Sequence, residues 1–149
     1  MENEQPGSAG SVVRSSPVKF WIPPCCLAVL ILILSSTPGA YYPDHPDYMN
    51  NIVHFMEFGL LSYLLSRTFS MGYSLGSMSL FFWAVIICVS FGLLDEMHQF
   101  LVPERMFEFK DLAFDFIGAV AGSTAYILIG SLKTGRSGAS SVPSGDLND

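Results

Sequence analysis

Four long apolar stretches constrain the fold of this chain more than any other feature of its sequence. They run through Phe20–Pro43, Ile52–Ser66, Thr68–Leu94 and Phe116–Leu132. A helix of about 20 predominantly apolar residues crosses the ~30 Å hydrocarbon core of a bilayer. Because a backbone in lipid must satisfy its own hydrogen bonds, the stretches are predicted to be helices rather than strands. The sequence therefore predicts an all-α membrane protein, a compact bundle of four transmembrane helices, of which the second is the least apolar.

The composition excludes an ordinary soluble domain. Half of the 149 residues are hydrophobic and only 13% are charged. The formal net charge of −6 comes mostly from the two ends, which are rich in Ser, Gly and Pro and are predicted to be disordered. The predicted organisation is a tail over residues 1–17, a transmembrane domain over 18–132 and a second tail over 133–149. The sequence has no basic stripe, so nucleic acid is not an expected partner.

The positions of the basic residues predict the orientation in the membrane. Five of the seven lie on one side of the predicted spans: Arg14, Lys19, Arg67, Lys133 and Arg136. Arg105 and Lys110 lie on the other side. Because Lys and Arg are enriched on the cytoplasmic side, both termini are predicted to be cytoplasmic, and the first span is predicted to be an uncleaved anchor. The expected location is the cytoplasmic (inner) membrane, as a multi-pass protein.

Nearly all the ionisable groups near the spans fall in one constellation. Its members are His54, Glu57, Asp95, Glu96, His98, Gln99, Arg105, Asp111 and Asp115. A charge near hydrocarbon costs roughly 2.5–3.5 kcal/mol on insertion scales, so such residues usually face a partner, a cavity or a ligand. The predicted orientation brings these groups to the outer ends of the second, third and fourth helices. The sequence therefore predicts a polar site at the depth of the outer-leaflet head groups.

The fourth predicted helix carries its polar residues on one face. Asp111 and Asp115 are four residues apart, and their face continues to Gly118 and Gly122. A Gly-x-x-x-Gly pattern favours close helix packing in a membrane, so this face is expected to point into the bundle. At about 1.5 Å per residue, Asp115 and Glu57 are expected only about 5–8 Å below their helix starts.

The region of the third and fourth spans resembles the signature of the VanZ-like membrane proteins. The matching residues are Asp95-Glu96-x-His98-Gln99, then Phe100-x-x-Pro103-x-Arg105, then Asp111-x-x-x-Asp115-x-x-Gly118. Two earlier segments are also similar, His54-Phe55-x-x-Phe58 and Ser35-Ser36-x-Pro38-Gly39. The resemblance covers roughly residues 20–130, nearly everything except the tails. It implies a cell-envelope protein whose namesake is associated with resistance to teicoplanin-type glycopeptide antibiotics.

Two positions depart from the pattern of that family. Asn50-Asn51 stands where the family usually has an Asp-Lys pair before the histidine, which removes one charge of each sign. Glu104 stands in a loop that usually reads Pro-Gly-Arg. The loss of that glycine suggests that the loop need not adopt a positive φ at this point, or that its geometry differs.

Each feature also has a purely structural alternative. In that alternative His54 and Glu57 form a hydrogen-bonded pair at a helix entrance. Arg105 and Asp111 form an ion pair that closes the outer loop, and Asp95 or Glu96 is a solvated helix end. The surplus of carboxylates over basic groups favours a function, because crowded carboxylates must share protons, pair or bind a cation.

Three function classes follow from the constellation. The first is a non-enzymatic envelope factor that binds a membrane lipid, a lipid-linked envelope precursor or the antibiotic. The alternative is a metal-dependent membrane enzyme acting on a lipid-linked head group, with a divalent cation held by Glu96, Asp111 and Asp115. His54 or His98 would then act as the base. A proton-coupled transporter is least favoured, because the short helices show no broken segments. The first class is the working hypothesis, and the sequence names neither ligand, metal nor oligomeric state.

Overall fold

The computed structural model describes residues 17–38 and 47–139, with side chains described for 17–38 and 49–132. Within these residues there are four α-helices and no strand: α1 (Val18–Ser35), α2 (Asp47–Tyr73), α3 (Ser77–Gln99) and α4 (Phe109–Ala139). The predicted all-helical fold is confirmed.

Polar contacts at the helix ends define the direction of each helix. The indole N–H of Trp21, at the start of α1, donates to the hydroxyl of Tyr73 at the end of α2 over 3.0 Å. The end of α1 contacts the end of α3 through Ser35 and Asp95. Polar contacts likewise join the N-terminal parts of α2 and α4. Helices α1 and α3 therefore run in one direction and α2 and α4 in the opposite direction. The C-terminal ends of α1 and α3 lie at the same end of the bundle as the N-terminal ends of α2 and α4.

Helix α2 contacts all three other helices and packs most extensively on α4. Small residues let these two backbones approach each other closely. The Ser62 hydroxyl donates to the carbonyl oxygen of Ala119 over 2.7 Å, and a side chain on Gly122 would collide with the backbone of Gly59. Small residues and interhelical hydrogen bonds of this kind hold helices together in membranes. The second span is the least apolar one because its polar residues face other helices.

Three helical segments are long and apolar enough to cross a membrane: Val18–Ser35, Ser77–Gln99 and Phe109–Leu132. Helix α2 does not qualify by composition, although its 27 residues extend over about 40 Å at 1.5 Å per residue. Large apolar side chains cover the outside of the bundle, such as Leu128, which is 58% exposed. An apolar outer surface of this extent is typical of a protein that contacts lipid. The chain is a membrane protein with at least these three apolar helices.

The boundary between the second and third helices differs from the predicted one. Hydropathy placed a break at Arg67, whereas α2 continues to Tyr73 and the turn follows at residues 74–76, with Ser74 at φ 55°. The Arg67 guanidinium lies 5.9 Å from the centre of the Phe20 ring on α1. A single charge inside a packed helix therefore interrupted the apolar run without ending the helix.

The other helix ends also extend beyond, or fall short of, the apolar stretches. Helix α1 ends at Ser35 rather than Pro43, and α4 ends at Ala139, seven residues into the predicted C-terminal tail. The rest of both predicted tails lies outside the described residues. Helix α2 begins at Asp47, so Glu57 lies about 15 Å along its axis rather than the expected 5–8 Å. Hydropathy marks only the apolar part of a helix, and helical hydrogen bonds continue into polar sequence.

Candidate functional site

His54 lies at the centre of a buried polar cluster between α2 and α4. Its Nδ1 is 2.9 Å from Oδ1 of Asp115, and its Nε2 is 3.5 Å from Oδ2 of Asp111. The imidazole stacks on the ring of Phe58, one turn further along α2, with 7° between the two planes. An ionised carboxylate accepts a hydrogen bond from either ring nitrogen, so the donor and acceptor roles of Nδ1 and Nε2 depend on the tautomer of His54. Asp111 and Asp115, four residues apart on α4, thus face the two ring nitrogens of His54.

Glu96 brings α3 into the same cluster. Its side chain is 0% exposed, and its Oε2 accepts the backbone N–H of Glu108 in the following loop over 2.9 Å. His54, Glu96 and Asp111 each offer one ligand atom, and these atoms all lie within 4.8 Å of one another. Three helices therefore converge on one small volume, which we call the central cluster: His54, Glu96, Asp111 and Asp115.

The central cluster contains more carboxylate oxygens than hydrogen-bond donors. Among the described residues, Oε1 of Glu96, Oδ1 of Asp111 and Oδ2 of Asp115 are buried without a hydrogen-bond partner. Leaving a buried acceptor unpaired costs about 1–3 kcal/mol, and more when the group is charged. Such groups in a native structure usually have a function or bind something further.

Two residues that sequence reasoning did not assign to the site shape this cluster. The Asn50 side-chain amide donates to Oδ2 of Asp111 over 2.7 Å, one turn before His54 on α2. A side chain on Gly92 of α3 would lie 2.6 Å from Oδ2 of Asp115. The signal for Gly92 was an isolated glycine within an apolar span, which marks a close approach. Asn50 was visible only as a departure from the family pattern.

A second polar group, separate from the central cluster, joins α1 to α3. The Ser35 hydroxyl donates to Oδ1 of Asp95 over 2.6 Å, and the Gln99 amide donates to Oδ2 of Asp95 over 3.0 Å. The Ser36 hydroxyl lies 2.9 Å from Nε2 of His98. Both oxygens of Asp95 are therefore satisfied, and we call this group the α1–α3 clasp. Its predicted members take part in contacts between helices rather than in the central cluster.

A family model described as VanZ/LLP1 matches residues 20–130 of this chain. The match covers well over half of the 149 residues and includes the central cluster and the α1–α3 clasp. The chain belongs to the VanZ/LLP1 family. Comparisons with curated proteins and with solved structures gave no match.

In the α3–α4 loop of this VanZ-like chain, Glu104 adopts a backbone conformation that favours glycine. Glu104 has a φ of 61°, in the left-handed region that favours glycine. The suggestion that the loop need not adopt a positive φ here is therefore wrong. Arg105 follows in the same loop, where it is half-buried and its backbone N–H donates to the carbonyl oxygen of Val102.

The remaining predicted residues occupy different environments. Glu57 is half-buried on α2, and no hydrogen bond or ion pair joins it to His54 in the described part of the chain. Asp95 and Glu96 are 1% and 0% exposed, so the alternative of a solvated helix end is wrong for both. Gly118 faces the backbone of Phe55 on α2, which places the Gly-x-x-x-Gly pattern in the α2–α4 interface.

A cavity lies away from these charges, at the opposite end of the VanZ-like bundle. It has a volume of about 530 Å³ between the C-terminal parts of α2 and α4 and the start of α3. Its lining contains small, apolar and hydroxyl residues and no ionisable acid or base except Tyr126. The central cluster therefore lies apart from this cavity.

Proposed function

We propose that this VanZ-like chain crosses the cytoplasmic membrane four times, with both termini in the cytoplasm and the central cluster towards the outer leaflet. The excess of Lys and Arg at the other end of the bundle supports this orientation. Helix α2 serves as the fourth span, because it is long enough and its polar residues are covered by α1, α3 and α4.

We further propose that the central cluster binds a polar group of an envelope component and that this contributes to tolerance of teicoplanin-type glycopeptides. The component is a membrane lipid or a lipid-linked envelope precursor. The observation that carries the proposal is the set of unpartnered, buried carboxylate oxygens on Glu96, Asp111 and Asp115. A fold that needed only helix packing would not place three such acids beside one histidine.

The experiment is a susceptibility measurement in a host that lacks its own copy of the gene. Expression of the wild-type chain is expected to raise the teicoplanin concentration needed to stop growth. Asp111→Asn keeps the size of the side chain but removes its charge, and we expect it to accumulate normally and to lose most of the increase. Leu128→Ile, on the lipid-facing surface, is the matched control and should retain the increase. Equal tolerance with wild type, Asp111→Asn and empty vector would refute the proposal.

The alternative of a metal-dependent membrane enzyme acting on a lipid-linked head group uses the same residues. The observation in its favour is the spacing of ligand atoms on His54, Glu96 and Asp111. Turnover separates the two functions: a binding factor retains the lipid-linked precursor unchanged, whereas an enzyme releases a product from it. We favour binding, because His98, the other histidine proposed as a base, contacts Ser36 in the α1–α3 clasp rather than the central cluster.

A further inference from the structure

The ligand atoms of His54, Glu96 and Asp111 form a compact group contributed by three different helices. All three side chains are buried, with His54 the most exposed at 5%. Their grouping depends on the fold, because the residues come from α2, α3 and α4 and no local sequence spacing predicts it. We propose that His54, Glu96 and Asp111 bind one divalent cation of the Zn²⁺ or Mn²⁺ type. The proposed ion site lies at the site of the proposed function, and it rests on that function only for the biological use of the ion.

The distances fit two or three donors that share one ion. Nε2 of His54 and Oδ2 of Asp111 are 3.5 Å apart. Two ligands at about 2.1 Å from one ion are about 3.4 Å apart when they subtend a tetrahedral angle. The three ligand atoms all lie within 4.8 Å of one another, so one ion placed among them would be near all three.

The environment of His54 is the one that metal-bound histidines usually have. Its Nδ1 lies 2.9 Å from Oδ1 of Asp115, and in the tautomer with the hydrogen on Nδ1 the Nε2 atom is the metal-binding atom and faces Asp111. A carboxylate that accepts from the second nitrogen fixes the tautomer and increases the basicity of the ligating nitrogen. Asp115 is therefore assigned to positioning His54. This differs from the sequence-based hypothesis, in which Asp115 was a ligand and His54 or His98 a base.

The unpartnered oxygens are an independent indication of a ligand. Glu96 and Asp111 are each at least 97% buried. Even so, Oε1 of Glu96 and Oδ1 of Asp111 have no hydrogen-bond partner among the described residues. Their other oxygens accept the N–H of Glu108 and of Asn50. Oδ2 of Asp111, which lies 3.5 Å from Nε2 of His54, has a second lone pair for an ion beside the hydrogen bond from Asn50.

The donor set selects the class of ion. Mg²⁺ and Ca²⁺ prefer oxygen ligands alone, whereas an imidazole with two carboxylates suits Zn²⁺ or Mn²⁺. Three protein ligands leave at least one coordination position open. That position is where an anionic oxygen of an envelope ligand would bind under the proposed function.

Metal content is the direct test. The full chain is purified in detergent through a tag without histidine, treated with a chelator, and then equilibrated with Zn²⁺, Mn²⁺, Mg²⁺ or Ca²⁺ separately. We expect one equivalent of Zn²⁺ or Mn²⁺ per chain by elemental analysis, and an increase of the thermal unfolding midpoint with that ion. Mg²⁺ and Ca²⁺ should bind more weakly.

Two neighbouring acids on α3 give a matched pair of variants. Glu96→Gln should abolish both the bound ion and the midpoint increase. Asp95→Asn changes the adjacent buried carboxylate, whose two oxygens are already satisfied by Ser35 and Gln99, and should retain the ion. Asp111→Asn should behave like Glu96→Gln. Asp115→Asn should weaken binding roughly 10–100-fold without abolishing it, as expected for a residue that positions a ligand.

The outcomes separate the ion from the proposed function. A wild-type chain that takes up none of the four ions, and whose midpoint none of them raises, would overturn the proposal. Uptake by Glu96→Gln equal to that of wild type would also overturn it. Teicoplanin tolerance without metal binding would reject the ion and leave the proposed function standing. Metal binding without tolerance would support the ion and reject the proposed function. Elution as a single monodisperse peak shows that each variant is folded.

Discussion

Glu104 holds the α3–α4 loop in a left-handed backbone conformation, with a φ of 61°. A residue with a Cβ is destabilised there by roughly 1–2 kcal/mol, while glycine loses roughly 0.5–1 kcal/mol more conformational entropy on folding. We therefore expect Glu104→Gly to raise the free energy of unfolding by about 0.5–1 kcal/mol, measured by thermal unfolding in detergent. Glu104→Ala removes the same charge but keeps the Cβ, so it should give no such gain. An equal gain in both variants would assign the effect to charge.

The identities of the site residues could be predicted from the sequence, whereas their partners could not. His54, Glu96 and Asp111 stand out because an ionisable residue is rare in an apolar context. Asp95 and Glu96 are adjacent, and a helix separates neighbouring side chains by about 100°. One therefore joins the α1–α3 clasp and the other the central cluster, and only the position of α1 and α4 decides which. Asn50 departs from the family pattern, but its contact with Asp111 could not be predicted without knowing how α2 packs on α4.

At the level of helices, the close contact between α2 and α4 depends on glycine at defined positions. A Cβ at Gly122 would collide with the backbone of Gly59, whereas a Cβ at Gly130, on the same helix, would meet nothing within 4 Å. We expect Gly122→Ala to lower the free energy of unfolding by about 2 kcal/mol, since a helix must shift to admit it. Gly130→Ala should be neutral or stabilising by up to about 1 kcal/mol, because alanine favours a helix. Thermal midpoints of the two variants check this, and equal midpoints would show that the α2–α4 contact is looser than described.

Hydropathy predicted the number and type of the helices but not their limits. The break between α2 and α3 was assigned to Arg67 because that residue interrupts an apolar run. In the structure Arg67 lies against Phe20, and the chain turns instead at residues 74–76. A helix boundary depends on backbone conformation, and a long charged side chain can remain on a helix that packs at the membrane edge.

For the whole molecule, the orientation determines which compartment the central cluster faces. The positions of the basic residues in the sequence predict that the central cluster faces outwards. We expect a cysteine at position 104 to be labelled in intact cells by an impermeant maleimide, and a cysteine at position 137 to be labelled only after lysis. Both are introduced into a chain whose native Cys25, Cys26 and Cys88 are replaced. Labelling of position 137 but not 104 in intact cells would place the central cluster on the cytoplasmic side.

The central claim is that the carboxylates of the central cluster are present for binding and not for the fold, and Glu96 tests it most directly. Its side chain is 0% exposed and one of its oxygens has no hydrogen-bond partner among the described residues. A charge in such a place destabilises the folded chain, and function is the usual reason that it is retained. The measurement is the thermal midpoint of Glu96→Gln in chelator, taken beside its teicoplanin tolerance. We predict a midpoint at or above that of wild type, normal accumulation and loss of tolerance. A lower midpoint with full tolerance would contradict the claim and make Glu96 part of the scaffold.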